Sequence, residues 1–260
     1  MKKAFFTVGF MLAVTVFFIF ILAFVHEISG QRITRNLAIQ KMRSILYAFN
    51  IFPEGMGEKN LSETSTTADV PWKEADLVNA MKQRIKTITL PVFAQQRELL
   101  KGSFLSIQDS AEIYVLFDHE GNIAAYGFPL RGKGLWGTIS AFAVVSSDFS
   151  RMLGIDFTDQ VETPGLGARI LEKEFKSYFR GLDLKNFFQP IFEPLPIVMV
   201  SKKDHSNLEQ STNSIQAITG ATQTCNGVLN MINTDLRFYI RLLSENREVL
   251  NRILLWEELE

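Results

Sequence analysis

The sequence predicts an α+β protein: an N-terminal transmembrane helix followed by a soluble domain with a mostly antiparallel sheet and flanking helices. Three observations carry that reading. Residues 4–25 form a run of 22 residues without a charge. Short stretches of alternating apolar residues, separated by turn formers, fill the middle of the chain. Apolar residues at helical spacing return toward the C-terminus. At 260 residues the chain has room for one or two domains.

The first element is the apolar run AFFTVGFMLAVTVFFIFILAFV, which holds seven of the 22 phenylalanines. At 1.5 Å per residue it spans a hydrocarbon layer of roughly 30 Å. It is longer than a usual signal-peptide core and no small-residue cleavage site follows it, so an uncleaved anchor is expected. Lys2 and Lys3 favour a cytoplasmic N-terminus, against a weaker opposing vote from Arg32, Arg35, Lys41 and Arg43 beyond the run. With no ionisable residue at membrane depth, the helix lacks what an ion pathway normally needs.

Residues 35–50 place Leu37, Ile39, Met42, Ile45, Leu46 and Phe49 at mostly helical spacing, predicting an amphipathic helix after the membrane run. Residues 53–70 (PEGMGEKNLSETSTTADV) are polar and rich in turn formers, as expected of a surface linker. A helix is predicted near 75–85 and a short extended piece near 87–93. Residues 112–117 (EIYVLF) and 123–128 (IAAYGF) around DHEGN have the pattern of a hairpin. Residues 139–145 (ISAFAVV) and 152–157 (MLGIDF) are two further strands. A helix over 168–179, closing strands at 197–200 and 214–218, a long helix over 222–243 and a charged amphipathic tail complete the chain.

Composition excludes several functions. There are 27 basic and 28 acidic residues, net −1, with no basic block to bind nucleic acid. Cys225, the single cysteine, cannot make an internal disulfide, a four-cysteine zinc site or a cysteine-ligated iron–sulfur cluster. His26, His119 and His205 are scattered, and no metal site or catalytic residue is assigned.

Three glycine-containing motifs remain. GKGLWG at 132–137 lets backbone approach a planar ligand with Trp136 as a flat wall, or is a hairpin turn with Trp136 buried. ETPGLG at 162–167 delivers Glu162 and Thr163 to the end of a strand, with a helix start beside them, or is a simple turn. TGATQTC at 219–225 clusters Thr219, Thr222 and Thr224 at a helix start, to meet a phosphate or to cap the helix. Cys225 is either a small buried residue or a thiol whose pKa the helix start lowers.

An N-terminal anchor with these three motifs in this order resembles the membrane-anchored FMN-binding subunits of bacterial respiratory complexes. These are the NqrC component of the sodium-translocating NADH:quinone oxidoreductase (Nqr) and the RnfG component of the related Rnf complex. The resemblance covers residues 4–238. The [ST]GATxT element is its most specific part, and GKGLWG with RSILYAFNI tilts it toward the Nqr member. It implies FMN joined through a phosphoester to the hydroxyl of Thr224, a bond made by a separate flavin transferase from FAD and magnesium. It also implies an FMN-binding domain over 106–240, with 1–25 as cytoplasmic N-terminus and membrane helix, 26–105 as membrane-proximal lead-in and 241–260 as tail. Thr219, Gly220, Ala221 and Thr222 would line the attachment site. Glu162 and Thr163 are the expected polar contacts, Leu166 and Trp136 the apolar walls, and Gly167 a further cofactor-binding candidate. Lys133 either attracts a phosphate or anionic flavin or is simply solvated.

The implied function is one-electron transfer in a sodium-translocating oxidoreductase. Its setting would be the bacterial inner membrane, with a single-pass anchor, other integral-membrane subunits as partners and the soluble domain on the periplasmic side. A stand-alone flavoprotein shuttle and a non-redox assembly protein stay open beside the Nqr and Rnf readings. The chain departs from the family pattern at Gln216, where Asp is common, at Gln160, where His is frequent, and at Cys225, where Ser often follows the acceptor.

Overall fold

The computed structural model describes residues 2–92, 103–188, 197–201 and 213–246. The tail beyond 246 and part of the 87–93 stretch lie outside them. Two compact units are present, Met1–Lys41 and Met42–Glu260. The first consists of helix: α1 runs over Lys2–Ala48, and its stretch Phe5–Gly30, with mean hydropathy 2.9, is exposed and long enough to cross a membrane. The separate amphipathic helix expected over 35–50 is the last part of this same helix. The intervening HEISGQRITR is polar but contains no proline, and the Thr34 hydroxyl donates to the Gly30 carbonyl at 3.0 Å, so nothing interrupts the ladder.

In the second unit the end of α1 is core: Ile45, Leu46, Tyr47 and Ala48 are buried. Asn50, at φ 59°, takes the left-handed conformation that ends many helices. The 53–70 segment is not the surface linker its composition suggests. It folds into two 3₁₀ turns, Glu58–Asn60 and Thr67–Asp69, and buries Leu61 and Val70 against Tyr47. Its Leu61, Glu63 and Ser65 carbonyls accept hydrogen bonds from Lys173 and Glu174. Two apolar anchors and a set of satisfied backbone groups hold a segment that is otherwise polar.

Helix α2 (Glu74–Arg84) leads directly into β1 (Ile85–Pro91). The strands β2 (Ser110–Phe117), β3 (Ile123–Lys133), β4 (Thr138–Ser146) and β5 (Met152–Asp159) follow. All five form one antiparallel sheet in sequence order, β1-β2-β3-β4-β5, in which short hairpin turns join β2 through β5 while residues 92–109 separate β1 from β2. Its middle strands are buried on both faces. On one side Phe142 packs against Phe49 and Tyr114, with ring centroids 5.8 and 5.0 Å away. On the other, Phe128 stacks on Tyr239 of the C-terminal helix at 4.7 Å.

The helix expected over 168–179 is divided: a 3₁₀ turn, Gly167–Leu171, is followed by α3 (Lys173–Ser177), with extended Glu172 between them. The predicted closing strands exist as β6 (Val198–Val200) and β7 (Ser214–Gln216). They pair with each other in parallel as a separate two-stranded sheet instead of extending the meander. The long C-terminal helix is present as α4 (Thr222–Met231), a π-helical turn (Ile232–Leu236) and α5 (Arg237–Glu245).

Two buried polar clusters fix the layers. Lys176 and Asp156, each almost wholly buried, form an ion pair at 2.9 Å. The Thr67 hydroxyl donates to Asp156 and accepts from Lys176, and the ammonium sits 3.9 Å from the Tyr47 ring centre. Losing either charge would strand the other, at about 3–5 kcal/mol, so the pair locks the 53–70 segment and the end of α1 onto β5. In the π turn, Asn233 bonds both the N–H and the carbonyl of Ile197. Asp235 accepts from the Arg131 N–H and the Ser103 hydroxyl. The wider turn lets both polar residues face inward two positions apart.

Burial pushes the Asp235 carboxyl up to about 6, against the opposing effect of its two donors. The folded chain therefore holds this proton more tightly than the unfolded chain does. Stability from this group is greatest below the unfolded value near 4 and declines as pH rises to about 6, by on the order of 3 kcal/mol. Asp235→Asn keeps an acceptor for Arg131 and removes the buried charge. Denaturant unfolding should find the variant more stable than wild type at pH 7.5, with the difference vanishing toward pH 4. A difference independent of pH would contradict a titrating Asp235.

Candidate functional site

The three motifs meet at the end of the sheet. GKGLWG closes the β3–β4 hairpin, with the Gly134 N–H donating to the Gly137 carbonyl at 2.7 Å. ETPGLG follows β5 and turns at Thr163–Leu166, where the Leu166 N–H donates to the Thr163 carbonyl. Pro164 fixes the second position of that turn, and Gly165 at φ 75° supplies the left-handed third. TGATQTC enters α4 through an analogous turn, in which the Ala221 N–H donates to the Ile218 carbonyl and Gly220 sits at φ 81°.

Glu162 joins all three. It is buried, and its Oε2 accepts the hydroxyl of Thr224 at 2.5 Å while its Oε1 accepts the backbone N–H of Trp136 at 3.0 Å. Its own N–H donates to the side-chain oxygen of Gln160. The Trp136 indole N–H donates to the Thr163 hydroxyl at 3.0 Å, a second tie between the first two motifs. Glycines make room for the carboxylate: a Cβ on Gly134 would overlap Oε1, and one on Gly167 would stand 2.6 Å from the Thr224 hydroxyl. A Cβ on Gly220 would stand 3.1 Å from Leu166, so the second and third turns also touch.

The predicted site residues divide accordingly. Thr224, Glu162, Thr163, Leu166, Gly167, Gly220 and Trp136 are brought together. Thr219, Gly220 and Thr222 are exposed at the start of α4, and Ala221 is its buried N-terminal boundary residue. No side chain caps that helix, so the capping alternative for Thr219 and Thr222 is not realised, and the first N–H groups of α4 keep no intrahelical partner. Lys133 is exposed at the end of β3. Trp136 is 69% exposed, which overturns the buried-turn alternative: its hydrogen bonds to Glu162 and Thr163 leave the ring face outside. Thr224, by contrast, is only 1% exposed.

Sequence reasoning missed two apolar contributors and one close contact. Leu135 and Val161 are exposed beside Trp136 and Leu166, on turns tied to Glu162, so the patch of exposed apolar groups is wider than expected. Gly227 is the close contact: a Cβ there would overlap the Lys133 carbonyl, which brings α4 against the hairpin. A glycine in the middle of a helical pattern was the available signal. Cys225 is buried and its thiol accepts the Ile218 N–H at 3.3 Å; burial raises its pKa, opposite to the helix-start alternative. Beside Thr219 lies a polar cavity of about 130 Å³ lined by Arg169, Glu172, Glu174, Tyr178 and Gln216. Gln216 and Glu174 there share the Tyr178 hydroxyl.

The three turns gathered at the start of a C-terminal helix lie within residues 134–237 or just beside them, the stretch that matches the FMN-binding domain family. In sequence and fold the chain is NqrC-like. It is 34% identical over 120 residues to NqrC of the Na(+)-translocating NADH-quinone reductase of Pasteurella multocida, covering 46% of this chain and 43% of that protein. The corresponding protein of Chlamydia pneumoniae is 35% identical over 131 residues, 46% of this chain and 40% of its own length. The chain thus spans less than half the length of these two relatives. The Pseudomonas aeruginosa counterpart aligns further, at 24% identity over 209 residues, 76% of this chain and 78% of that one. Among solved structures, NqrC of Shewanella oneidensis superposes with TM-score 0.53 at 19% identity, over 79% of this chain and 97% of that one. The Parabacteroides distasonis counterpart gives TM-score 0.57 at 20% identity, over 82% and 96%.

The Gly227 contact gives a test of the geometry. Gly227→Ala should force α4 away from the hairpin and cost about 1–3 kcal/mol of unfolding free energy. Chemical denaturation measures this, and a variant as stable as wild type would mean that the helix and hairpin have slack between them.

Proposed function

We propose that this chain is a membrane-anchored electron-transfer component of an Nqr-like sodium-translocating NADH:quinone oxidoreductase, with FMN held on Thr224 through a phosphoester to its hydroxyl. The observation that carries the reading is the convergence of the three turns on Glu162 and Thr224. The residues present suit the cofactor. Leu135, Trp136, Val161 and Leu166 offer an exposed apolar surface that a flat ring would cover. The uncapped N–H groups at the start of α4, next to Thr219, Gly220, Ala221 and Thr222, suit a phosphate. Lys133 adds a positive charge nearby in sequence, and Thr163 a polar contact.

Bound there, the flavin would supply the electron-transfer chemistry. The chain's own part is to hold and orient: Thr224 as the attachment point, Trp136 and Leu166 as walls, Glu162 as the tie between turns. The relatives' names support membership of a multisubunit reductase, whose other integral-membrane subunits would be the partners. The exposed apolar stretch Phe5–Gly30 supports a single-pass anchor in the bacterial inner membrane, and Lys2 and Lys3 before it support a periplasmic soluble domain. Maturation would need an FAD-dependent flavin transferase. The departures at Gln160, Gln216 and Cys225 from the pattern of the resembled subunits motivate, as a second reading, a stand-alone membrane-tethered flavoprotein.

Co-expression with a flavin transferase, followed by denaturing electrophoresis under ultraviolet light, should give a fluorescent band that disappears in Thr224→Ala. A dark wild-type band would sink the covalent reading, and fluorescence surviving in the variant would move the attachment to another hydroxyl. In mild detergent the chain should co-purify with other integral subunits; solitary recovery would favour the stand-alone reading.

A further inference from the structure

We propose that Glu162 is the general base of flavin attachment: it takes the proton of the Thr224 hydroxyl as that oxygen bonds to phosphorus. The inference deepens the assignment of Thr224 as the attachment point and rests on it. The Thr224 hydroxyl, the group that must lose its proton, already donates to Glu162 Oε2 at 2.5 Å. The other carboxylate oxygen is held by the Trp136 N–H, so the acceptor is aimed and does not rotate freely. Glycines at 134 and 167 leave the pair the room it occupies. A threonine hydroxyl is a weak nucleophile by itself, and an adjacent hydrogen-bonded base is what activates one.

The atoms balance without an oxidant. The Thr224 Oγ1–H bond breaks and its proton passes to Oε2 of Glu162. Oγ1 bonds to the flavin-side phosphorus of FAD, and the bond from that phosphorus to the bridging oxygen of the diphosphate breaks. AMP leaves with the electron pair.

The same transfer removes an electrostatic conflict. Once esterified, Oγ1 has no proton to donate, and an ionised Glu162 would face the phosphodiester anion at hydrogen-bond range. Two like charges that close repel strongly in a buried site. Glu162 carrying the transferred proton is neutral and can donate to the ester oxygens, so the residue that starts the reaction also accommodates its product. Thr224 is buried with Gly167 beside its hydroxyl, so the 165–167 end of the ETPGLG turn has to move for the donor to reach it while Glu162 stays held by the Trp136 N–H.

The test uses the full chain in detergent, with purified flavin transferase, FAD and magnesium, following covalent flavin by fluorescence and intact mass. Glu162→Gln preserves the shape and an acceptor for Trp136 but takes no proton. Its kcat for loading should fall about 100-fold or more, with KM for the chain unchanged and the unloaded protein still folded, its cooperative thermal unfolding shifted only to a somewhat lower temperature. Loading of Glu162→Gln at the wild-type kcat, or an effect confined to KM, would overturn the proposal. If Glu162→Gln does not fold, Glu162→Asp decides: a folded variant with reduced kcat and unchanged KM supports the base, and wild-type kcat refutes it. Misfolding of both would overturn it by making Glu162 a structural residue. A wild-type chain that accepts no flavin overturns the Thr224 assignment together with this one, whereas normal wild-type loading with an undiminished variant overturns this one alone.

Discussion

A buried carboxylate needs donors, and Glu162 finds one on the β3–β4 hairpin and one in the first turn of α4. That requirement organises the end of the sheet. Its two oxygens are satisfied by the Thr224 hydroxyl and the Trp136 N–H, residues 62 and 26 positions away in the chain. Hydrogen bonds to a charged group contribute about 1.5–3 kcal/mol each, and an unmet one costs more. The hairpin, the turn after β5 and the start of α4 are therefore fixed in register with one another, although the turns are short and largely exposed. What faces outward follows from what is held inward: with the Trp136 N–H groups engaged, its ring and the neighbouring Leu135, Val161 and Leu166 have no inward place to go.

Such a joint works only if the layers behind it are rigid. Missing side chains set the spacing there. Gly227 admits the Lys133 carbonyl, Gly132 admits Met231, and Gly154 on β5 admits the Ala48 carbonyl at the end of α1. The sheet is thus clamped from both faces at van der Waals distance. On one face the Lys176–Asp156 pair with Thr67 adds directionality that apolar packing lacks. On the other, the π turn directs Asn233 and Asp235 into the core, and the pH-dependent cost of the buried Asp235 is partly offset by the Arg131 N–H and the Ser103 hydroxyl that donate to it.

Much of this was legible in the sequence because it depends on local alternation. The strands from 110 to 159 and their hairpins follow from period-two patterns and turn residues, and β1 follows its helix where apolar spacing changes. The exceptions have physical causes. Residues 168–179 carry a helical stripe, but Glu172 is extended, which lets Lys173 and Glu174 bond the 61–65 carbonyls. The 53–70 segment reads as polar because two buried residues, Leu61 and Val70, are enough to seat it. Strands β6 and β7 are too short for a pattern to reveal that they pair in parallel. At the site, the motifs identified the residues, whereas the Thr224–Glu162 bond crosses 62 positions and no spacing rule reaches it. For Trp136 the sequence pattern allows core or surface, and its two hydrogen bonds decide for the surface.

Gln160, Gln216 and Cys225 each make a local hydrogen bond around the three turns. Gln160 uses its side-chain oxygen to hold the N–H of Glu162, so the residue beside the turn still orients the carboxylate without carrying charge. Gln216 accepts from Tyr178, whose hydroxyl also faces Glu174; an acidic residue there would add a second negative charge around one donor. Cys225 fills a buried position and accepts the Ile218 N–H, a contact that a serine hydroxyl could also make. All three residues are served by these bonds, and none of them is a hydrogen-bond partner of the Thr224 hydroxyl. The hydrogen bonds that join the three turns are therefore concentrated on one carboxylate, which the Thr224 hydroxyl and the Trp136 N–H reach from opposite sides of the junction.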